Sequence, residues 1–112
     1  MREAVLKGFS RYLTSESGIV KYKDTGKICP DYSVGKSPKH IGYRKIKITP
    51  DGSKKRKCFS VHKLVWLVFY GEIPDGFEVD HINRKRDDNR LDNLRIIPIV
   101  HNRKRKKIRV SV

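Results

Sequence analysis

Residues 61–71, VHKLVWLVFYG, form the longest apolar stretch of the chain, and whatever the chain folds into has to be built around it. Val61, Leu64, Val65, Val68 and Phe69 recur at the three- and four-residue spacing of one helix face. Ser60 stands where an N-cap would stand, and Gly71 where a helix would stop. Valine, tryptophan and phenylalanine also favour strands, so a strand remains a live alternative on composition. The length of the run and its Ser/Gly brackets predict a helix. Trp66 and Leu67 complete a mostly apolar surround, as suits a central core element.

Upstream, Ile19-Val20-Lys21-Tyr22-Lys23 is β-prone and lies between two turn signals, Ser17-Gly18 and Thr25-Gly26. Residues 9–28 therefore read as a small hairpin. Residues 29–41, CPDYSVGKSPKHI, read as an irregular loop that includes His40. YRKIKI (43–48) alternates with period two and has one cationic face, Pro50-Asp51-Gly52-Ser53 turns, and KRKCFSV (55–61) returns, giving a second hairpin. Downstream, Pro74-Asp75-Gly76 turns into a short strand, FEVDHI (77–82). A polar loop (84–93) leads to a second short strand, LRII (94–97). Pro98 suits the first turn of a helix running to about 107, with 108–112 an edge strand or a fraying tail. The expected architecture is one small α+β domain of 112 residues: hairpins within 1–59, one core helix, then a strand–loop–strand–helix unit within 60–107.

The net charge of +15, from 27 basic and 12 acidic residues, is unevenly spread. Residues 64–83 contain no lysine or arginine, only Glu72, Asp75, Glu78 and Asp80, and strongly basic zones flank them. Such zones attract polyphosphate through steering and counterion release. A membrane-binding helix would need an apolar face opposite its lysines, which the C-terminal basic run lacks. Nucleic acid is the expected partner, with neither a membrane nor a small-molecule cofactor. The opening MREAVLKGFSRYL carries charges where a signal peptide would be apolar, so a cytoplasmic protein is expected. Cys29 and Cys58 lack any CxxC spacing, so no structural zinc is expected, and both read as free thiols.

Within this frame, EVDHINRKRDDNRLDNLRIIPIVHN raises the question of chemistry. Strand, long loop, strand and helix bring together residues far apart in the chain. The pattern resembles the HNH endonuclease family, of the zinc-free phage and intron homing type. The matching features are a V-H-x-L-V helix (61–65), a D-H-I strand (80–82), Asn93-Leu94 and a closing His101-Asn102. The resemblance implies a C-terminal ββα-metal unit and residue roles. Asp80 and Asn102 would hold one divalent cation, His81 would be the general base, and Asn93 would bond across the loop to orient His81. His101 would be a supplementary ligand, a phosphate contact or an exposed residue. Oxygen donors suit Mg2+ or Mn2+ better than zinc. In relatives the position before the final helix is usually a capping Ser or Thr; here it is Pro98, which cannot supply that bond.

The residue types fit such chemistry in their own right. An imidazole with a pKa of about 6.5 accepts a proton near neutrality where a lysine cannot. Neighbouring strand residues point to opposite faces, so Asp80 and His81 can serve one site only at a bulge or strand end. Taken singly, Asp80 reads as an ion-pair partner of Arg84 or Lys85, and Asn89 and Asn93 as turn residues. His62 reads as structural, bonded to a nearby loop. Arg103, Lys104, Arg105, Lys106 and Lys107 would lay the final helix on phosphates, with Lys54, Lys55, Arg56 and Lys57 as a second clamp. The expected function is a metal-dependent, weakly sequence-specific DNA endonuclease. The alternatives are a non-catalytic nucleic-acid-binding module, and a basic structural protein that would leave the anionic patch unexplained.

Overall fold

The apolar segment is a helix, and three small sheets arrange themselves around it. The computed structural model describes residues 2–33 and 42–99. The first sheet is antiparallel, in the order β1 (Glu3–Ala4), β2 (Tyr12–Ser15), β3 (Val20–Tyr22). The second is β4 (Tyr32–Ser33), β5 (Arg44–Ile48), β6 (Lys57–Ser60), also antiparallel. The helix α1 (Val61–Tyr70) follows β6 directly. A two-stranded ribbon, β7 (Phe77–His81) with β8 (Leu94–Pro98), completes the set, and a 3-10 turn at Leu91–Asn93 leads into β8.

Both upstream hairpins form where turn residues and alternation place them. The edge strands β1 and β4 carry no strong local pattern, and pairing with a neighbour creates them. In β5 the alternation sorts as expected: Ile46 and Ile48 are buried and Lys47 is exposed. Val61, Leu64 and Val65 bring the buried face of α1 onto those isoleucines, and Tyr12, Val79, Leu91 and Leu94 close the same core. Burying a side chain of this kind contributes about 1.5–3 kcal/mol. Cys29 is buried and Cys58 exposed, both as free thiols. No helix among the described residues is long and apolar enough to cross a membrane.

Three local expectations change. Tyr32–Ser33, within the segment expected to be an irregular loop, pairs with β5 as β4. Ser60 occupies the N-cap position with extended backbone, but its side chain makes no capping bond. Helix α1 starts because its apolar face is buried, not because it is capped. Pro98 is the last residue of β8, opposite Phe77, and stands one residue before the helical geometry, not within its first turn. Ile82 N–H donates to Asn93 O and Ile99 N–H to Gly76 O, both at 2.8 Å. The hydrogen-bonded pairs of the ribbon therefore fall at even-numbered residues of β7, and Phe77–Pro98 is a non-hydrogen-bonded pair. At that position an N–H would face away from β7, so proline costs the ladder nothing. Helical geometry begins at Ile99. The remainder of the expected final helix, the tail 108–112 and His40 lie outside the described residues.

Candidate active site

The site gathers where the ribbon ends. His81 is the last residue of β7 and shares the inner face of the strand with Val79, so its ring is buried against α1. Asp80 is on the other face and only half-buried. The strand pairing is regular through His81, with no bulge. The strand end is what lets both residues line one cleft of about 610 Å3, together with Tyr43, Arg84, Arg86, Arg95, Ile97 and Pro98.

The imidazole of His81 is held on two sides. Its Nε2 lies 2.8 Å from Oδ1 of Asn89, itself a buried residue. A carbonyl oxygen only accepts, so in a neutral ring this contact favours the tautomer with the proton on Nε2 and the lone pair on Nδ1. On the ring faces, His62 lies 4.8 Å and Tyr43 6.0 Å away, centroid to centroid, and Tyr43 stacks on His62 at 5.4 Å. Burial lowers the pKa of His62 to about 3, with the nearby charges of His81, Lys63 and Lys45 acting in the same direction. His62 is thus a neutral ring and does not add a charge beside His81. Among the described residues, its Nδ1 is buried without a hydrogen-bond partner, and its ring packs against Tyr43 and His81.

The loop between the strands is cross-braced by its own polar side chains. Asn93 is buried; its amide donates to Asn83 Oδ1 and to the Asp88 carbonyl, and its Oδ1 accepts from Asn83 N–H. Asn83 donates in turn to Asp88, and Arg90 holds both carboxylate oxygens of Asp88. These bonds, Arg90 first, keep the Asp88 carboxyl well below the usual carboxylate range. Asn93 therefore bonds across the loop, while the side chain hydrogen-bonded to the His81 ring is that of Asn89. The sequence offered Asn89 only as a turn former.

The carboxylate of Asp80 pairs with Arg95 at 3.0 Å, directly opposite in the ribbon, not with Arg84 or Lys85. Among the described residues this bond engages Oδ2, and the carboxylate, a hard oxygen donor, lines the cleft. That chemistry fits a divalent cation that keeps several waters. No cluster of three or more His, Cys, Asp or Glu side chains gathers among the described residues. Around the cleft stand Arg84, in the left-handed region at φ 66°, and Arg86, 4.7 Å over the ring of Tyr43. Tyr43, Arg86 and Arg95 were not singled out from the sequence. Only the ribbon register, which sets Arg95 against Asp80, could have found one of them. Lys54, Lys55, Arg56 and Lys57 are all exposed where the chain enters β6. His101, Asn102 and Arg103 to Lys107 lie outside the described residues.

A helix, a strand ending in a held histidine, a braced loop and a returning strand define an α+β protein with a ββα-type unit. Residues 59–104 match the HNH endonuclease family. Two viral relatives support the match over a larger share of the chain. The DNA endonuclease I-HmuI of Bacillus phage SP01 is 36% identical over 84 residues, covering 70% of this chain and 45% of that protein. An HNH endonuclease of Acanthamoeba polyphaga mimivirus is 33% identical over 98 residues, covering 83% of this chain and 22% of that one. The gene 5.3 protein of Enterobacteria phage T3 is 37% identical over 57 residues, 51% of this chain and 56% of its own. The chain thus spans less than two thirds of each of these relatives. A solved structure of the HNH homing endonuclease I-HmuI, describing its DNA binding and cleavage, superposes over 100% of this chain. It does so with a TM-score of 0.75 and 27% identity, covering 61% of that protein. Residues 59–104 of this chain thus form a segment of the HNH endonuclease family.

Proposed function

We propose that this chain is a divalent-metal-dependent DNA endonuclease that leaves 5′-phosphate and 3′-hydroxyl ends, nicking one strand per site. One observation carries the reading. His81 sits at a cleft beside a carboxylate, with Nε2 engaged by Asn89 and Nδ1 left as an acceptor. That is the state a general base requires before it takes a proton from water. Asp80 and Asn102 would hold the cation, Mg2+ or Mn2+. When bound, such an ion offsets phosphate charge and stabilises the departing 3′ oxygen. Arg84 and Arg86, at the cleft wall, contact the flanking phosphates. Arg95, in the same cleft, would be a third phosphate contact. The surface lysines and arginines of residues 54–57 and 103–107 position the duplex without reading its bases.

The ion pair between Asp80 and Arg95 favours a second reading, a nucleic-acid-binding module without turnover, in which Asp80 is structural. Supercoiled plasmid separates the two. With manganese the wild-type chain is expected to yield open-circular product that disappears with chelator. His81→Ala should lower the rate by about 10²–10⁴-fold. Asp80→Ala should lose nicking and keep plasmid binding. Binding without a nick across several divalent metals would leave the module.

A further inference from the structure

Through the turn between β2 and β3, the N-terminal sheet reaches the loop that carries Asn89. The turn between β2 and β3 runs through Gly18, whose φ is +89°. A Cβ placed on Gly18 would meet the carbonyl oxygen of Asn89 at 2.9 Å and its Cβ at 3.0 Å. The first is closer than real contacts permit and the second tighter than nearly all of them, and neither atom belongs to a flexible side-chain end. The backbone of this turn is therefore pressed against Asn89, the residue bonded to His81. A second link lies beside it: the Leu91 N–H donates to the Glu16 carbonyl at 2.7 Å. Glu16 is itself anchored, with its carboxylate accepting from the Arg2 N–H at 3.0 Å and from Arg2 Nε at 2.9 Å.

We infer that the β2–β3 turn is a positioning element for His81, with Gly18 and Glu16 seating Asn89 so that its Oδ1 fixes the imidazole tautomer. This rests on the reading of His81 as the general base. A neutral imidazole has two tautomers, and only the form protonated on Nε2 leaves Nδ1 able to accept a proton. An acceptor at Nε2 selects that form, and the acceptor's place depends on what stands behind it. The close approach of Gly18 to the backbone and Cβ of Asn89 restricts movement on that side, and the bond from Leu91 to Glu16 ties the chain two residues further on. The hairpin is thus part of the catalytic scaffold as well as a flanking basic element.

Nitrogen-15 NMR of the histidine rings at alkaline pH, on the full chain, reads the tautomer without needing turnover. Wild-type His81 is expected to carry its proton on Nε2. Asn89→Ala and Gly18→Ala should each give a mixture of tautomers, and Asn89→Asp, which keeps an acceptor, should restore the wild-type form. Gly26→Ala is the control for backbone strain: its φ is +75°, yet an added Cβ there meets nothing within 4 Å. It should leave the tautomer unchanged. If Gly18→Ala does not fold, Arg2→Ala loosens Glu16 without adding bulk and should shift the tautomer in the same direction. In plasmid nicking with manganese, Asn89→Ala and Gly18→Ala should lower kcat by about 10–100-fold with KM little changed.

A wild-type His81 protonated on Nδ1 would overturn the inference. So would a tautomer unmoved in Asn89→Ala, or a Gly18→Ala chain indistinguishable from Gly26→Ala. A wild-type chain that shows the expected tautomers but never nicks overturns the nuclease reading and leaves the positioning intact.

Discussion

Two neighbouring regions of this molecule are held together by different physics. Around α1, the side chains of Ile46, Ile48, Val61, Leu64 and Val65 are almost wholly buried and make only apolar contacts with one another. In the loop between β7 and β8, order comes from amides, a carboxylate and an arginine bonded in sequence: Asn83, Asp88, Arg90 and Asn93. The first depends on volume and tolerates changes that conserve it. The second depends on direction, because each buried donor or acceptor needs its own partner. The residues proposed for chemistry attach to the second, since an imidazole has to be aimed and oil-like packing alone does not aim it.

This contrast predicts how each region breaks. Leu64→Ala opens a cavity at the centre of the core and should cost about 2–5 kcal/mol in urea unfolding. Leu64→Met, nearly equal in volume, should cost less than about 1.5 kcal/mol. Asn93→Leu also keeps the volume, yet it strands Asn83 and the Asp88 carbonyl. It should cost about 3 kcal/mol. If Asn93→Leu proves as mild as Leu64→Met, the loop is not held by its hydrogen bonds and the distinction fails.

A graded effect should appear with acid. The pKa of His62 is about 3 in the folded chain against an ordinary 6.5. Between those values the unfolded chain binds a proton that the native ring refuses. Stability is therefore complete above pH 6.5 and falls as pH drops toward 3, by up to about 1.4 kcal/mol per unit. His62→Phe keeps a ring against Tyr43 and His81 and should remove that slope. Urea midpoints at neutral and mildly acid pH would detect it. Smallest of all, Ser60→Ala should change stability by less than about 0.5 kcal/mol, because the hydroxyl makes no capping bond. A loss near 1 kcal/mol, typical of a working cap, would show that α1 depends on its own ends as well as on burial.

What was legible in advance depended on how local the signal was. The helix, β2, β3, β5 and β6 announced themselves through spacing and turn residues within a few positions. So did the strand that ends in Asp80 and His81, and the expectation of a strand end there is met. Ser60 misled because capping chemistry was available but its side chain makes no capping bond. Pro98 misled because proline is compatible with two neighbouring situations, a helix start and the outward-facing side of a strand pair. Only the register of β7 against β8 separates them.

From order and type alone, the chain determined its apolar centre, its cationic surface and the presence of an acid–histidine pair on a short strand. These follow from properties that each residue carries into any fold. Folding in three dimensions decided that Asn89 would meet Nε2 of His81, that Arg95 would answer Asp80, and that Gly18 would press against the loop from the far end of the chain. Such contacts join residues whose separation in sequence says nothing about their distance in space. They exist only once burial of the common core has fixed where each backbone lies.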